Sequence, residues 1–234
     1  MGGDSVAVVI PFRDRGIDPR RAANLKRVVG QWQAYNFAPM IVSDGREGNA
    51  QFNRSAAYNT AARHLDAQVL IFAESDMLIS PSQITIATAM AVESPGLVVP
   101  FTEYRYLSAK DSVKVRGGDI PERFTPESIM KDGASIGAIN VLSRQTLDAI
   151  GCWDESFEGA WYDDVAMKIA FEVCAGPTRW VDGPASHLWH KPGLGGSPLT
   201  AEDEAATARN KERLELYRQA TTPERIRELT AGGH

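Results

Sequence analysis

Hydrophobic and polar positions alternate between strand-like and helix-like spacing through the first hundred residues. Short runs of β-branched and other apolar residues predict four strands, at 5–12, 38–45, 67–73 and 96–101. Segments with helical patterning lie between them, at 18–35, 52–65 and 80–93. This alternation predicts an α/β fold with a mostly parallel central sheet and helices on both faces.

The second half of the chain is less regular. Residues 102–132 lack a clean period and contain two glycines and two prolines, so they are expected to form a long excursion from the sheet. A further strand is predicted at 134–143, a helix at 163–176, and a charged helical tail at 200–230 that Pro223 divides. The Gly- and Pro-rich stretch 190–198 is predicted to be a loop that acts as a lid.

Composition narrows the class of protein. The 234 residues are 43% hydrophobic and carry a net charge of -5 with no basic block, which disfavours nucleic acid or an anionic membrane as the main partner. No segment reaches about 18 consecutive apolar residues, so no membrane span is expected. The expected protein is soluble and cytoplasmic. Cys152 and Cys174 are too few for a disulfide framework.

Acidic residues follow the third predicted strand, where ligands of parallel sheets bind. Glu74, Ser75 and Asp76 come directly after the apolar run 67–73. Two carboxylates two positions apart offer hard oxygen ligands for Mg²⁺ or Mn²⁺ together with a ribose. The alternative is a turn that caps the helix beginning at Pro81.

Two histidines strengthen the metal interpretation. His187 and His190 form an H-x-x-H pattern, which on a turn or helix directs both imidazoles to the same side. With Asp76 they would supply three ligands and leave positions open for phosphate oxygens. The alternative is a pair of surface histidines beside a loop.

Basic and aromatic residues lie at other predicted strand ends. Arg13 and Arg15 follow the first strand, where guanidinium groups suit a diphosphate, and Phe52, Arg54 and Asn59 open a helix whose N-terminus favours anions. Phe52 is suited to stack on a nucleobase. No Walker A or G-x-G-x-x-G pattern occurs, which disfavours P-loop and dinucleotide-binding proteins.

A pair of acids opens the helix at 163–176. Asp163 and Asp164 have a structural explanation through helix capping and the helix dipole. The functional alternative is a general base for a sugar hydroxyl, with Trp161 and Tyr162 providing a platform for the sugar face.

Taken in order, these motifs resemble the nucleotide-sugar glycosyltransferases of the GT-A fold. They are most similar to the β-1,4-galactosyltransferases and their relatives that share the galactosyltransferase C-terminal region. The segments that carry the resemblance span residues 9 to 190: "VIPFRDR", "FNRSAAYN", "FAESDMLIS", "IGAINVLSRQTLDAIGCWDESFEGAWYDD" and "HLWH".

The resemblance implies roles for individual residues. The first group would bind the uridine and diphosphate: Pro11, Phe12, Arg13 and Arg15. Phe52 would stack near uracil, Arg54 would reach the phosphates, and Asp44 would touch the base or ribose. Asp76 matches the Mn²⁺-binding acid of the family's Asp-x-Asp, and His190 matches a metal-binding histidine. His187 stands where those galactosyltransferases use a methionine as a metal ligand. An imidazole nitrogen is a harder ligand than a methionine sulfur.

The chain departs from the family pattern at two places. Glu74 replaces the first Asp of the Asp-x-Asp motif. The run "GAWYDD" lacks the family's Trp-Gly-Gly-Glu-Asp. In one register Asp163 and Asp164 take the Glu-Asp places and Asp164 becomes the base; in the other the base position falls on Tyr162.

The expected function is a metal-dependent transfer of a sugar from a UDP-sugar donor to a hydroxyl acceptor, on a protein or a small molecule. Mn²⁺ or Mg²⁺ would be the cofactor. The alternatives are a sugar-1-phosphate nucleotidyltransferase and a non-catalytic module that binds sugar nucleotides or glycans. Residues 1–199 are expected to form the catalytic domain, divided into a nucleotide-binding half (1–101) and an acceptor and metal half (102–199), and 200–234 a helical extension.

Overall fold

The strands and helices predicted for the first hundred residues are present in the computed structural model, which describes residues 5–16, 18–48, 50–131, 136–191 and 200–232. The strands are β1 (Val6–Pro11), β2 (Met40–Val42), β3 (Val69–Ala73), β4 (Met77–Ile79), β5 (Val98–Val99), β6 (Glu103–Tyr106), β7 (Ser128–Lys131), β8 (Ile139–Ser143), β9 (Arg179–Trp180) and β10 (Pro184–His187). The helices are α1 (Pro19–Ala34), α2 (Arg54–His64), α3 (Pro81–Glu93), α4 (Ala109–Arg116), α5 (Arg144–Ile150), α6 (Asp163–Ala175), α7 (Ala201–Gln219) and α8 (Pro223–Ala231). A single 3₁₀ turn, Pro121–Arg123, precedes β7.

The central sheet is mainly parallel, as the alternating pattern predicts. Its strand order is β2-β1-β3-β8-β5-β9, with β1 parallel to both β2 and β3, and β5 parallel to β9. Strand β8 runs antiparallel between β3 and β5. Every residue of β3 and β8 is buried, which accounts for their continuous apolar runs.

A second sheet forms from the part of the chain where the sequence predicts only an irregular excursion. Its order is β4-β10-β6-β7. Within segment 102–132, β6 and β7 belong to this second sheet and not to the central one, and the sequence did not predict them as strands. The strand β6 reads Glu-Tyr-Arg-Tyr and β7 reads Ser-Ile-Met-Lys. Such short, half-exposed strands carry too few apolar residues to produce a visible period.

Local sequence explains where the first helices begin. Asp18 is the N-cap of α1 and Pro19 its first residue, as predicted. Asn53 caps α2 and Ser80 caps α3 in the same way. Helix α2 packs on β1 and β2, and α3 packs on β3, β5 and β8, so the parallel strands keep their carboxyl ends open.

The C-terminal helices share the core of the rest of the chain. Leu214 and Tyr217 of α7 and Ile226 and Leu229 of α8 are buried within it. The division between the domain and a helical extension after residue 199 stays a prediction. None of the described helices is both long and apolar enough to cross a membrane.

Asp154 joins α7 to the loop that leads into α6. The residue is fully buried, and its Oδ2 accepts hydrogen bonds from Arg213 Nε at 2.8 Å and from the Tyr217 hydroxyl at 2.9 Å. Its Oδ1 accepts from the Ser156 amide at 2.9 Å. The Asp154 carboxylate therefore accepts hydrogen bonds from both α7 and the loop that precedes α6.

Asp154→Ala is expected to lower the free energy of unfolding by about 3 kcal/mol, because it leaves the largely buried Arg213 guanidinium and the buried Tyr217 hydroxyl without the acceptor that they share. Urea denaturation measures the change. The matched control is Glu215→Ala, which breaks an exposed pair with Arg218 on the same helix and should cost less than about 1 kcal/mol. Equal losses in both variants would contradict the structural role of Asp154.

Candidate active site

Strand pairing in the second sheet brings Asp76 to the histidines. Asp76 directly precedes β4, and His187 is the last residue of β10, which pairs antiparallel with β4 so that His187 lies opposite Met77. The Leu188 amide also donates to the Asp76 carbonyl at 2.8 Å. The backbone ladder therefore places two segments over a hundred residues apart side by side.

The three predicted metal ligands form one cluster. Nε2 of His190 lies 2.9 Å from Asp76 Oδ2, and Nε2 of His187 lies 3.7 Å from the same oxygen. One ligand atom from each residue falls within 4.8 Å of the others. The Asp76 carboxylate is buried, and its Oδ1 has no hydrogen-bond partner in the described part of the chain.

The orientation of His190 favours a cation between the two groups. Its Nδ1 lies 2.9 Å from the Lys191 carbonyl, so that nitrogen carries the proton of a neutral ring. The lone pair of Nε2 then faces Asp76 Oδ2 at 2.9 Å. Two acceptors at that distance repel each other unless a proton or a metal ion lies between them.

The pKa shifts of Asp76 and His187 favour the protonation states that metal binding requires. Burial by itself would raise the pKa of Asp76, but His187 and His190 outweigh it and lower the pKa to about 2. Burial lowers the pKa of His187 and keeps the imidazole neutral. An orphan carboxylate oxygen and two imidazole nitrogens fit Mn²⁺ or a similar divalent cation, so these three residues could hold one.

A second cluster gathers three carboxylates around Arg54. The guanidinium forms ion pairs with Glu74 and Asp163, and its Nη2 lies 2.6 Å from Asp164 Oδ1. Its Nε also donates to Asp163 at 3.1 Å. Arg54 is expected from the sequence to bind phosphates, but its guanidinium is already paired with the acidic side chains of this cluster.

The acids of this cluster differ in pKa. Burial opposes ionisation of Asp163, but the charge and hydrogen bonds of Arg54 outweigh it and lower its pKa. Burial, followed by repulsion from Asp163, raises the pKa of Asp164 to about 6. Burial raises the pKa of Glu74 to about 8. Asp164 is thus the acid whose pKa suits a general base near neutral pH.

Gly137 makes room for the Asp164 carboxylate. A Cβ built on Gly137 would lie 2.0 Å from Asp164 Oδ2, a distance no side chain tolerates. Any larger residue at position 137 would therefore displace the Asp164 carboxylate from this position.

A cavity of about 850 Å³ is lined by residues of both clusters. Asp76 and His190 line one part of it, and Arg54, Asp163 and Asp164 line another. Aromatic side chains line the remainder: Tyr104, Tyr106, Trp161 and Tyr162. Trp161 is 61% exposed, the highest value among the large hydrophobic residues in the described ranges. A metal site, an acid and an apolar surface thus share one space.

A smaller cavity of about 190 Å³ adjoins the first. It is lined by the predicted nucleotide-binding residues at the end of β1 and the start of α2: Pro11, Phe12, Arg13, Arg15 and Phe52. Helix α7 contributes Asp203, Ala206 and Thr207. Phe52 and Ser75 line both cavities, so the two are contiguous.

Two predicted nucleotide contacts lie elsewhere. Asn59 is buried, its Nδ2 donates to the Trp153 carbonyl and to Glu155, and its Oδ1 accepts from the Trp153 amide. The side chain of Asp44 is also buried, and it pairs with Arg13 at 3.1 Å and accepts from the Asn53 amide. Neither residue is among those that line the two cavities. Their polar atoms contact other protein groups, and the direct nucleotide contacts expected of Asn59 and Asp44 stay predictions.

Arg13 lies at the predicted nucleotide site, but its guanidinium contacts other protein groups. It lines the smaller cavity, but its guanidinium donates to the carbonyls of Gly48 and Ala50 and pairs with Asp44. Arg15 lines the same cavity, and burial followed by the nearby Arg13 charge lowers its pKa. The predicted lid at 190–198 falls mostly on 192–199, which lies outside the described residues.

Arg21 is a cavity residue that sequence reasoning missed. It lines both cavities, and its charge contributes to lowering the pKa of Asp76. Within the described part of the chain its side chain has no hydrogen bond or ion pair. Arg21 lies within α1 rather than at the end of a strand. The sequence signal that could have identified it is a helical-wheel projection of α1 that starts at its N-cap, Asp18.

Comparison of this structure with solved structures shows the GT-A fold. A variant of Drosophila β1,4-galactosyltransferase 7 in complex with manganese, UDP-Gal and xylobiose has a TM-score of 0.53 at 13% identity, over 86% of this chain and 78% of that one. GalNAc-T7 with UDP, GalNAc and Mn²⁺ has a TM-score of 0.55 at 13% identity, over 92% and 49%. Glucosyl-3-phosphoglycerate synthase from Mycobacterium tuberculosis, with Mn²⁺, UDP and phosphoglyceric acid, has 0.51 at 13%, over 96% and 79%. No protein-family model matches the chain, and no curated protein matches it significantly in sequence.

Mn²⁺ is expected to bind the free protein at one site, and Asp76→Asn is expected to remove that binding because it deletes the anionic ligand. Titration calorimetry or the loss of the free Mn²⁺ electron-spin resonance signal measures it. His64→Ala is the control, since His64 is exposed on α2 and should leave Mn²⁺ affinity unchanged. Unaltered Mn²⁺ binding by Asp76→Asn would exclude the cluster as the metal site.

Proposed function

We propose that this chain, which has the GT-A fold, is a metal-dependent glycosyltransferase that moves a sugar from a UDP-sugar to a hydroxyl acceptor. One observation carries the proposal: Asp76 and His190 of the predicted metal-ligand cluster line the same cavity as Asp163 and Asp164, and that cavity adjoins a smaller one lined by Arg13, Arg15 and Arg21. A module that only bound glycans would need neither the metal ligands nor an acid of raised pKa.

The nucleoside is proposed to occupy the smaller cavity. Phe12 and Phe52 offer ring faces there, and the Arg13 guanidinium lies 5.9 Å from the Phe52 ring centre. The diphosphate would then lie between the two cavities, beside Ser75 and the side chain of Arg21. Arg15 and Arg21 replace Arg54 in the expected phosphate-binding role, because Arg54 is engaged by three carboxylates.

Asp76, His187 and His190 would hold the divalent cation. When bound, the ion would supply Lewis-acid neutralisation of the charge that develops on the departing diphosphate. Arg21 adds a positive charge on the same side of the cavity, and the aromatic rings of Tyr104 and Tyr106 pack against His187 at 5.8 and 5.2 Å between ring centres. These rings orient the imidazole and exclude water from it.

Asp164 is proposed to accept the proton of the attacking hydroxyl. Its carboxylate lies in the large cavity, and its raised pKa makes it a stronger base than an ordinary aspartate. Arg54 and Asp163 fix its orientation through the guanidinium that both acids share. Asp163, with a lowered pKa, stays ionised and is the weaker candidate.

The acceptor is proposed to bind against Trp161 and Tyr162. Its class stays open, since the similar structures contain acceptors as different as xylobiose and phosphoglyceric acid. Asp164, Trp161 and Tyr162 line the same cavity, which supports an acceptor hydroxyl near Asp164 and an apolar surface beside it.

A donor screen tests the proposed function. UDP-, GDP- and dTDP-sugars are each incubated with the protein and Mn²⁺, and release of the nucleoside diphosphate is measured. The expected result is slow release from one or more UDP-sugars that stops when the metal is chelated. Release of pyrophosphate from a nucleoside triphosphate and a sugar 1-phosphate would instead indicate a nucleotidyltransferase, and UDP binding that ignores the metal would indicate a binding module.

Arg21→Ala is expected to weaken metal-dependent UDP binding by roughly tenfold, the effect of one charge-assisted contact of about 1.5 kcal/mol. Calorimetry with UDP in the presence of Mn²⁺ measures it, and uridine should bind both proteins alike. Lys26→Ala removes the same charge from an exposed position of α1 and is the control. If both variants bind UDP as the wild type does, Arg21 does not contact the diphosphate.

The rate of transfer is expected to rise with pH and level off above about pH 6, because Asp164 accepts a proton only when its carboxyl, with a pKa of about 6, is ionised. Asp164→Asn is expected to lower turnover by about 10²–10⁴-fold and to spare Mn²⁺-dependent UDP binding. The exposed Asp66→Asn serves as control. Normal turnover by Asp164→Asn would reject the base assignment.

A further inference from the structure

The loop at 158–162 has an unusual backbone where it enters the large cavity. Gly159, Trp161 and Tyr162 all have positive φ, at 74°, 76° and 75°. Glycine adopts this conformation freely, but two consecutive aromatic residues do so only when their surroundings hold them there. The same loop leads directly into Asp163 and Asp164, the first residues of α6.

The N-cap residue of α6 does not support this conformation through its side chain. Tyr162 occupies the N-cap position, and its side chain makes no capping hydrogen bond. At the other end of the loop, the Gly159 amide donates to the Phe52 carbonyl at 2.9 Å. Support for Trp161 also comes from outside the loop and α6.

Asn210 of α7 provides that support. Its side chain is 2% exposed, and Nδ2 lies 2.8 Å from the Glu158 carbonyl and 3.2 Å from the carbonyls of Ala160 and Trp161. Its Oδ1 accepts from the Glu158 amide at 3.3 Å. One buried amide therefore contacts the backbone of three of the loop's five residues.

We propose that Asn210 is a positioning residue of the active site, which holds loop 158–162 so that Trp161 and Tyr162 face the large cavity and Asp163 and Asp164 meet Arg54. Asn210 itself does not line either cavity, so it acts through the loop. The part of the proposal that concerns turnover rests on the proposed glycosyltransferase function; the part that concerns the loop does not.

The chemistry of the contact requires an amide. Three carbonyl oxygens face Nδ2, and only a donor satisfies them. An aspartate at 210 has nearly the same shape but would place a carboxylate oxygen against those carbonyls. Asn210→Asp should therefore disturb the loop at least as much as Asn210→Ala, whereas a residue that merely filled space would tolerate the isosteric change.

The experiment compares Asn210→Ala and Asn210→Asp with Tyr217→Phe, a control that removes one buried hydrogen bond from the same helix and does not touch the loop. Hydrogen exchange is followed by mass spectrometry in peptides covering 158–163. Both Asn210 variants should exchange there at least tenfold faster than the wild type, and Tyr217→Phe should not. Affinity for UDP with Mn²⁺ should change less than twofold in all three.

Turnover is measured as UDP release from the donor that the screen identifies. The Asn210 variants are expected to lose at least tenfold in kcat with the donor KM nearly unchanged. Unaltered exchange at 158–163, or wild-type behaviour of Asn210→Asp, would overturn the proposal. If the wild type releases no UDP from any donor, the proposed function fails, and the exchange data still decide whether Asn210 holds the loop. Should Asn210→Ala not fold, Asn210→Asp carries the same comparison.

Discussion

The antiparallel pairing of β4 with β10 is the constraint on which the site depends. It sets His187 opposite Met77, and the bond from the Leu188 amide to the Asp76 carbonyl extends the same ladder by one step. Because strand register is fixed by the backbone, a shift of one residue would turn His187 to the other face of the sheet. The predicted metal-ligand cluster therefore depends on the register of a sheet that supplies one of its ligands, His187, from the end of β10.

The Arg54 guanidinium offsets the negative charge of the acidic side chains around it in the large cavity. Glu74, Asp163 and Asp164 approach one another closely, and Arg54 is the cation that makes their common burial tolerable. Removing a positive charge from such a group would leave several carboxylates competing for protons. Burial and the neighbouring Asp163 charge raise the pKa of Asp164 despite Arg54, and this raised pKa suits the carboxylate to accept a proton.

The C-terminal helices take part in both the core and the cavities. Along one face of α7, Asp203 and Ala206 line the smaller cavity, Asn210 holds the loop at 158–162, and Tyr217 reaches Asp154. These positions are spaced by three or four residues, or by two turns, which is the spacing of one helical face. A segment that reads as a polar tail in sequence thus connects the proposed nucleoside pocket to the proposed acceptor side.

Local pattern by itself determined the elements of the first half and the chemistry that they carry. Buried runs such as 69–73 and caps such as Asp18 are encoded by neighbouring residues, and so are the acids and arginines that follow parallel strands. Tertiary structure decided which of those groups are available. Arg54 and Asp44 are committed to protein partners, Asn59 stabilises a loop, and Arg21 enters the cavities from within a helix, because ion pairing and burial depend on residues far apart in the chain. The short strands β6 and β7 and the support of Trp161 by Asn210 likewise have no local signal, since their stability comes from pairing and hydrogen bonds with distant segments.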